Sequence, residues 1–391
     1  MTIEPLPLAR ELLTVEEYLA LSAKINYQLS ARALNPQALL ALVLGSADVS
    51  ERGRHILVAA FDVLRAGYRK ERRRLGTPGI LHPLRAAAIL ARTLPRPPIL
   101  HLLTALLHDK EEDLTEEGLG AEHFAALSVE YARLLALLTE EERAGLTLRI
   151  RLLANHTGSY QDYLARVLAE AGAMSDLIWI KLADRIDNTF DITLQHPGVT
   201  RYNFYRAVFD ILFLPSFRGV DMGPFHFLPE LDEGVMLLGQ LFKDTLFLAL
   251  LRGAGIDARD PLAQRLFNGL AVAGIREAQW LALELFHTSL ADVGRQRALL
   301  LAVMQYTHGG GAGAVTVKAD GGAVDGMLLE FFTLARRGEQ KGMLRALFTD
   351  REHLAQMVLV FIVIFASFVN DPDFNIAGVS LDGVIAAASD S

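Results

Sequence analysis

Apolar residues recur at mixed three- and four-residue spacing along most of the chain, the pattern of helices that each bury one stripe. Residues 10 to 45 follow it with a break at Asn35-Pro36. "SERGRHILVAAFDVLRAGYRKE" opens on Ser50, a suitable N-cap. "LGTPGILHP" is a loop marked by Gly76, Pro78 and Gly79, and Pro83 suits the first turn of the helix that follows. "PPILHLLTALLHD" predicts a buried helix, and Thr115 caps a short acidic turn after it. "EHFAALSVEYARLLALL", "YQDYLARVLAEA" and "MSDLIWIKLADRIDN" predict three more helices. The helical texture continues past residue 215 through "GVMLLGQLFKDTLFLALLRGAG" and "PLAQRLFNGLAVAGIREAQWLALELFHTSL". "HGGGAGAVTVKADGGAVDG" interrupts it, and predicts a small hairpin turning at Asp320-Gly321. No Lys-Ser or Lys-Thr follows those glycines at phosphate-loop spacing. The expected fold is all-α, in three parts: a helical segment over 1–45, a domain over 46–215 and a second helical domain over 216–391.

One apolar run bears on membranes. "MVLVFIVIFASFV", Met357 to Val369, falls short of the ~20 residues that span a bilayer. It predicts a buried core helix or central strand, with no membrane span.

Composition narrows the function classes. The 391 residues are 51% hydrophobic and 21% charged, which is core-rich and globular. A net charge of -8 argues against nucleic-acid binding, which needs concentrated Lys and Arg. The exception is local, the run "RKERRR" from Arg69 to Arg74. The chain has no cysteine, so any metal must be held by His and carboxylates. That absence and an N-terminus unlike a signal peptide predict a cytoplasmic protein.

The candidate chemistry gathers in three strings: "GILHPLRAAAIL", "TALLHDKEED" and "WIKLADRIDN". Each places metal-ligating groups at a helix edge: His82, the pair His108-Asp109, and Asp184. Two imidazoles and two carboxylates suit a single divalent ion, with the oxygen share favouring Mn²⁺. Glu112, four residues after His108, shares its face on a continuous helix, within reach of an ion's water. His101, seven residues before His108, reads as a core or supporting histidine, and His156 and His196 carry no spacing argument. Lys110, Glu111, Glu116 and Glu117 read as solvated.

These strings resemble the HD superfamily of metal-dependent phosphohydrolases. More narrowly, Arg73…Gly76…Pro78…Ile80…His82-Pro83, Leu106-Leu107-His108-Asp109…Glu112-Asp113 and Lys181-Leu182-Ala183-Asp184-Arg185…Asn188 resemble the hydrolase domain of RelA/SpoT homologues and small alarmone hydrolases. The resemblance covers about residues 50 to 195. It implies that His82, His108, Asp109 and Asp184 hold one Mn²⁺ and that Glu112 and Asp113 are the catalytic acids. It also implies that Arg73 packs on a guanine base and that Asn188 lines the pocket. Arg74, Lys181 and Arg185 are further candidates for the substrate's phosphates. The implied reaction removes the 3′-pyrophosphate of (p)ppGpp, giving GDP or GTP. Leu75, Gly79, Asp187 and Asp191 depart from the family pattern at positions expected near the nucleotide. Two alternatives follow: a phosphohydrolase of another 3′-phosphorylated nucleotide, and a non-catalytic nucleotide sensor. The C-terminal region resembles no family, and dimerisation is one role open to it.

Overall fold

The structure, a computed structural model, describes residues 15–30, 35–69, 78–155, 159–195, 228–313, 315, 326–334 and 336–385. About 79% of them are helical and strand is almost lacking, so the fold is all-α. The hairpin expected at Asp320-Gly321 lies outside the described residues, as do Arg73, Arg74, Leu75, His156 and His196. The described strands are Val379–Ser380 (β1) and Gly383–Val384 (β2), paired antiparallel across Leu381-Asp382.

The first half runs α1 (Val15–Ser30), α2 (Pro36–Leu44), α3 (Glu51–Gly67), α4 (Leu81–Thr93) and α5 (Ile99–Leu107). Two single turns follow, α6 (Lys110–Asp113) and α7 (Glu116–Leu119), then α8 (Ala121–Ala136), α9 (Glu140–Leu153), α10 (Tyr160–Glu170) and α11 (Asp176–Gln195). The caps expected at Ser50 and Thr115 form: Ser50 accepts from Gly53 and Thr115 from Gly118. Asn35, expected only as a break, is also a cap and accepts from Gln37 and Ala38. Each relieves a backbone donor that the first helical turn leaves unpaired.

Helix α4 is buried almost all round, from Leu81 to Ala91. Its run of small residues, Ala86-Ala87-Ala88, lets α1, α2, α5 and α11 approach it together. Helix α5 stops at Leu107, because Asp109 leaves helical geometry (φ -88°, ψ 4°) before the turn α6 begins. The continuous helix through His108 and Glu112 expected from spacing is therefore broken at the pair itself.

The second half adds α12 (Leu231–Gly253), α13 (Ile256–Arg259), α14 (Pro261–Thr288), α15 (Val293–His308), α16 (Met327–Thr333), α17 (Arg337–Thr349) and α18 (Arg351–Asn370). The "MVLVFIVIFASFV" run is helical and lies within α18, against α14. Helices α12 and α18 are long and apolar enough to cross a membrane, by length and composition only. In the fold, 78% of the apolar window of α12 and 56% of that of α18 is buried. Buried side chains from both halves join one hydrophobic cluster. Helix α11 is the seam, packed on α4 and α5 on one side and on α12 and α14 on the other.

Candidate metal centre

Two helix ends and the middle of a third helix converge; the edge expected at Asp184 lies instead inside α11. His82 sits in the first turn of α4, His108 and Asp109 at the break between α5 and α6, and Asp184 midway along α11. His82, His108 and Asp184 are 4%, 2% and 3% exposed, and the Asp109 side chain, at 24%, forms the open side. His82, His108 and Asp109 offer ligand atoms all within 4.8 Å of one another. The two Nε2 atoms lie 3.2 Å apart. Asp109 Oδ2 is 3.2 Å from His82 Nε2, and Asp109 Oδ1 is 3.2 Å from His108 Nε2. Asp184 Oδ1 is 3.2 Å and 3.5 Å from the same two nitrogens.

The protons on the imidazoles decide what this cluster can hold. His108 Nδ1 faces the Ala105 carbonyl at 2.9 Å, and a carbonyl only accepts, so Nδ1 carries the proton. His82 Nδ1 faces Asp187 Oδ2 at 2.7 Å and donates likewise. Both Nε2 lone pairs then point into the cluster, toward each other and toward two carboxylates. Protonating one imidazole relieves only some of these contacts; a divalent cation satisfies all four groups. The donor set therefore fits a divalent metal ion.

The electrostatics show a cluster that attracts positive charge, a proton or a cation. Burial opposes charge on His108, but Asp109 and Asp184 outweigh it and raise its pKa. Burial would raise Asp109, yet His108 and His82 hold it down at about 2. Asp184 stays well below the usual carboxylate range; burial opposes this, and Lys181 ahead of the two histidines overcomes it.

Around the cluster stands a second layer of bonds. Asp187, fully buried, accepts from His82 Nδ1 and is fixed by Arg85 Nε at 2.7 Å and by the Tyr18 hydroxyl at 2.6 Å. Arg85 also donates to Asp191 at 2.5 Å and to Ser22 at 3.0 Å. A carboxylate behind a ligating histidine fixes its tautomer and makes its free nitrogen a better donor to a metal. Asp187 and Asp191 were expected near the nucleotide. They are instead 0% and 1% exposed, behind His82, because they lie three and seven residues after Asp184 on the α11 face that meets α4.

The other predicted residues divide. Lys181 Nζ binds Asp184 Oδ2 at 2.7 Å, and Asn188 Nδ2 donates to Asp184 Oδ1 at 2.5 Å, so both brace Asp184. Glu112 is exposed and accepts from the Asn155 amide at 2.6 Å. Asp113 accepts from the Tyr68 hydroxyl at 3.1 Å. Asp113 is exposed as a residue, yet partial loss of solvent at its carboxyl, with the Asp109 charge, pushes it up to about 6. Arg185, expected at the substrate's phosphates, is turned away. It is 4% exposed and donates to Asp244 through Nε at 2.7 Å and Nη2 at 2.5 Å. One residue on from Asp184, it points about 100° around the helix, toward α12. His101 is no ligand; it lies beside Trp179, its Nε2 3.7 Å from Asp176.

Spacing did not single out Tyr18, Arg85 or Tyr68. Arg85, three residues after His82 in an otherwise apolar helix, was the available signal: a buried guanidinium demands acids. No family model, curated protein or solved structure matches the chain.

Proposed function

We propose that the chain is a metal-dependent phosphohydrolase, and that its substrate is a guanosine nucleotide of the (p)ppGpp type, cleaved at the 3′-pyrophosphate. The observation that carries the proposal is the convergence of His82, His108, Asp109 and Asp184, with both imidazole lone pairs turned inward. The substrate class comes from the three motif strings.

A divalent ion bound there, Mn²⁺ by preference, supplies Lewis acidity to a phosphoryl oxygen and to water. The chain's own groups handle position and protons. Asp187 and the Ala105 carbonyl set the two histidine tautomers, and Lys181 and Asn188 hold Asp184 in place. Asp113, with a pKa of about 6, is suited to exchange a proton near neutral pH. Glu112 ties the acidic turn to Asn155, just past the C-cap of α9.

The test is purified protein with Mn²⁺ and a panel of nucleotides, with products separated chromatographically. Release of pyrophosphate with GDP or GTP is expected. Asp109→Ala should lose both metal and turnover. Asp113→Asn should keep the metal while turnover falls by about 10²–10⁴-fold; an equal fall in Glu112→Gln would give Glu112 a proton role beyond its bond to Asn155. Inorganic phosphate with a shortened nucleotide as products would refute the reaction type. Metal binding without turnover of any nucleotide would favour a sensor, a reading that the direct bonding of α11 to the C-terminal half also suits.

A further inference from the structure

Helix α10 presents two tyrosine rings near the metal centre, with centroids 6.0 Å apart. Each has a lysine over its face. Lys181, from α11, lies 4.9 Å from the Tyr163 centroid while holding Asp184. Lys243 lies 5.5 Å from the Tyr160 centroid, and it comes from α12, in the half that carries no motif.

Lys243 is unusual in its company. Among the described residues no carboxylate lies within ion-pair distance of it. Its neighbour Asp244 is taken by Arg185 and by the Thr189 hydroxyl at 2.6 Å. The charged groups acting on it include the cations Arg185, Arg337 and Lys181. Burial first, then those cations, lower its pKa to about 8. The hydroxyl of Tyr160, whose ring lies under Lys243, is enclosed without a hydrogen-bond partner; Gln240 Oε1, one helical turn before Lys243, also lacks one, but as an acceptor it needs a donor and not an anion. A screened lysine among cations, next to an unmet hydroxyl, is unfavourable by itself. A bound oxyanion removes the defect: it neutralises the lysine and accepts from the hydroxyl.

We propose that Lys243 and Lys181, with the Tyr160 hydroxyl, form a subsite for a phosphate or pyrophosphate group beside the metal centre, so that the C-terminal half completes the site. Assigning that group to the substrate rests on the phosphohydrolase reading; the binding of the anion does not.

Inorganic pyrophosphate is the probe, titrated calorimetrically into the full chain without divalent metal. Wild type should bind it and should melt at a higher temperature in its presence. Lys243→Met should bind roughly 10–100-fold more weakly and lose the thermal shift, while Lys243→Arg keeps most of both. The proposal is overturned if wild type does not bind pyrophosphate, or if Lys243→Met binds it equally well. It is overturned too if Lys243→Met loses the wild-type circular dichroism, because the lysine is then structural. Pyrophosphate binding that depends on Lys243, without turnover of any nucleotide under Mn²⁺, would keep the subsite and remove the phosphohydrolase. Turnover with an unchanged KM in Lys243→Met would do the reverse.

Discussion

Asp187 and Lys243 show how much a single side chain depends on its surroundings. Asp187 is a fully buried acid held well below the usual carboxylate range; burial opposes this, and Arg85 and His82 overcome it. Asp187→Asn keeps the volume but removes the charge that favours the His82 Nδ1 proton. Metal affinity should fall by about 10–100-fold, measured by competition with a chromophoric chelator; unchanged affinity would dismiss the supporting role. Lys243 gives a pH signature. Its folded pKa of about 8 lies below the ~10.4 of an unfolded lysine. Between those values the unfolded chain holds a proton that the folded chain has given up, so stability rises with pH across that window. Below pH 8 the penalty is present in full, set first by burial and then by Arg185 and Lys181 on α11 and Arg337 on α17, with Asp244 opposing it. Lys243→Met should therefore be more stable than wild type at pH 7 by roughly 1–3 kcal/mol. The difference should close as pH approaches 10, as followed by urea unfolding at several pH values. The four residues of the cluster were legible in the sequence because each stands in a recognisable string. The role of Asp187 was not legible, since an acid three residues after Asp184 gains it only when α4 brings Arg85 alongside. Arg185 misled for a related reason: adjacency in sequence becomes opposite facing on a helix.

The elements were legible where local chemistry settles them. Ser50 and Thr115 both cap the helices they announce, because capping is decided within three residues. The break at His108-Asp109 was hidden, because apolar and acidic residues keep helical spacing across it. The β1–β2 hairpin was also missed. Its two-residue strands carry no alternation to detect. Closeness of approach is a further property that spacing does not show. At Gly274, α14 passes so near α18 that an added Cβ would lie 2.7 Å from Phe365 Cε2. Phe365 is fully buried and stacks with Phe361 at 6.1 Å, so it has little room to yield. Gly274→Ala gains up to about 1 kcal/mol of helix propensity but overpacks the interface at about 1–3 kcal/mol. A net loss of about 1–2 kcal/mol is expected, read from the urea midpoint. A midpoint at or above wild type would mean that the two helices separate easily.

At the scale of the molecule, the two halves meet through charge as well as through apolar packing. Arg185 and Asp244 form an ion pair with side chains 5% and 0% exposed. Burial raises the Asp244 pKa although Arg185 works against it. Asp244→Ala leaves the guanidinium buried and unpaired, and should cost about 3–5 kcal/mol with an unaltered list of metal ligands. Metal content and urea unfolding measured together check this, and a loss under 1 kcal/mol would show that solvent reaches the pair. The partition at residue 215 rested on where recognisable strings end, and recognisability says nothing about which surfaces need each other. Helix α11 has two faces with two attachments. Asp184, Asp187 and Asp191 point to the ligand cluster and Arg85, while Arg185 and Thr189 grip α12. A rigid rod fixed at both faces acts as an axle. It cannot turn to open the metal cluster without also twisting out of its C-terminal bearing. Displacing α11 at its α12 face would therefore displace Asp184 and Asp187 as well, so the second half of the chain bears on the geometry of the cluster.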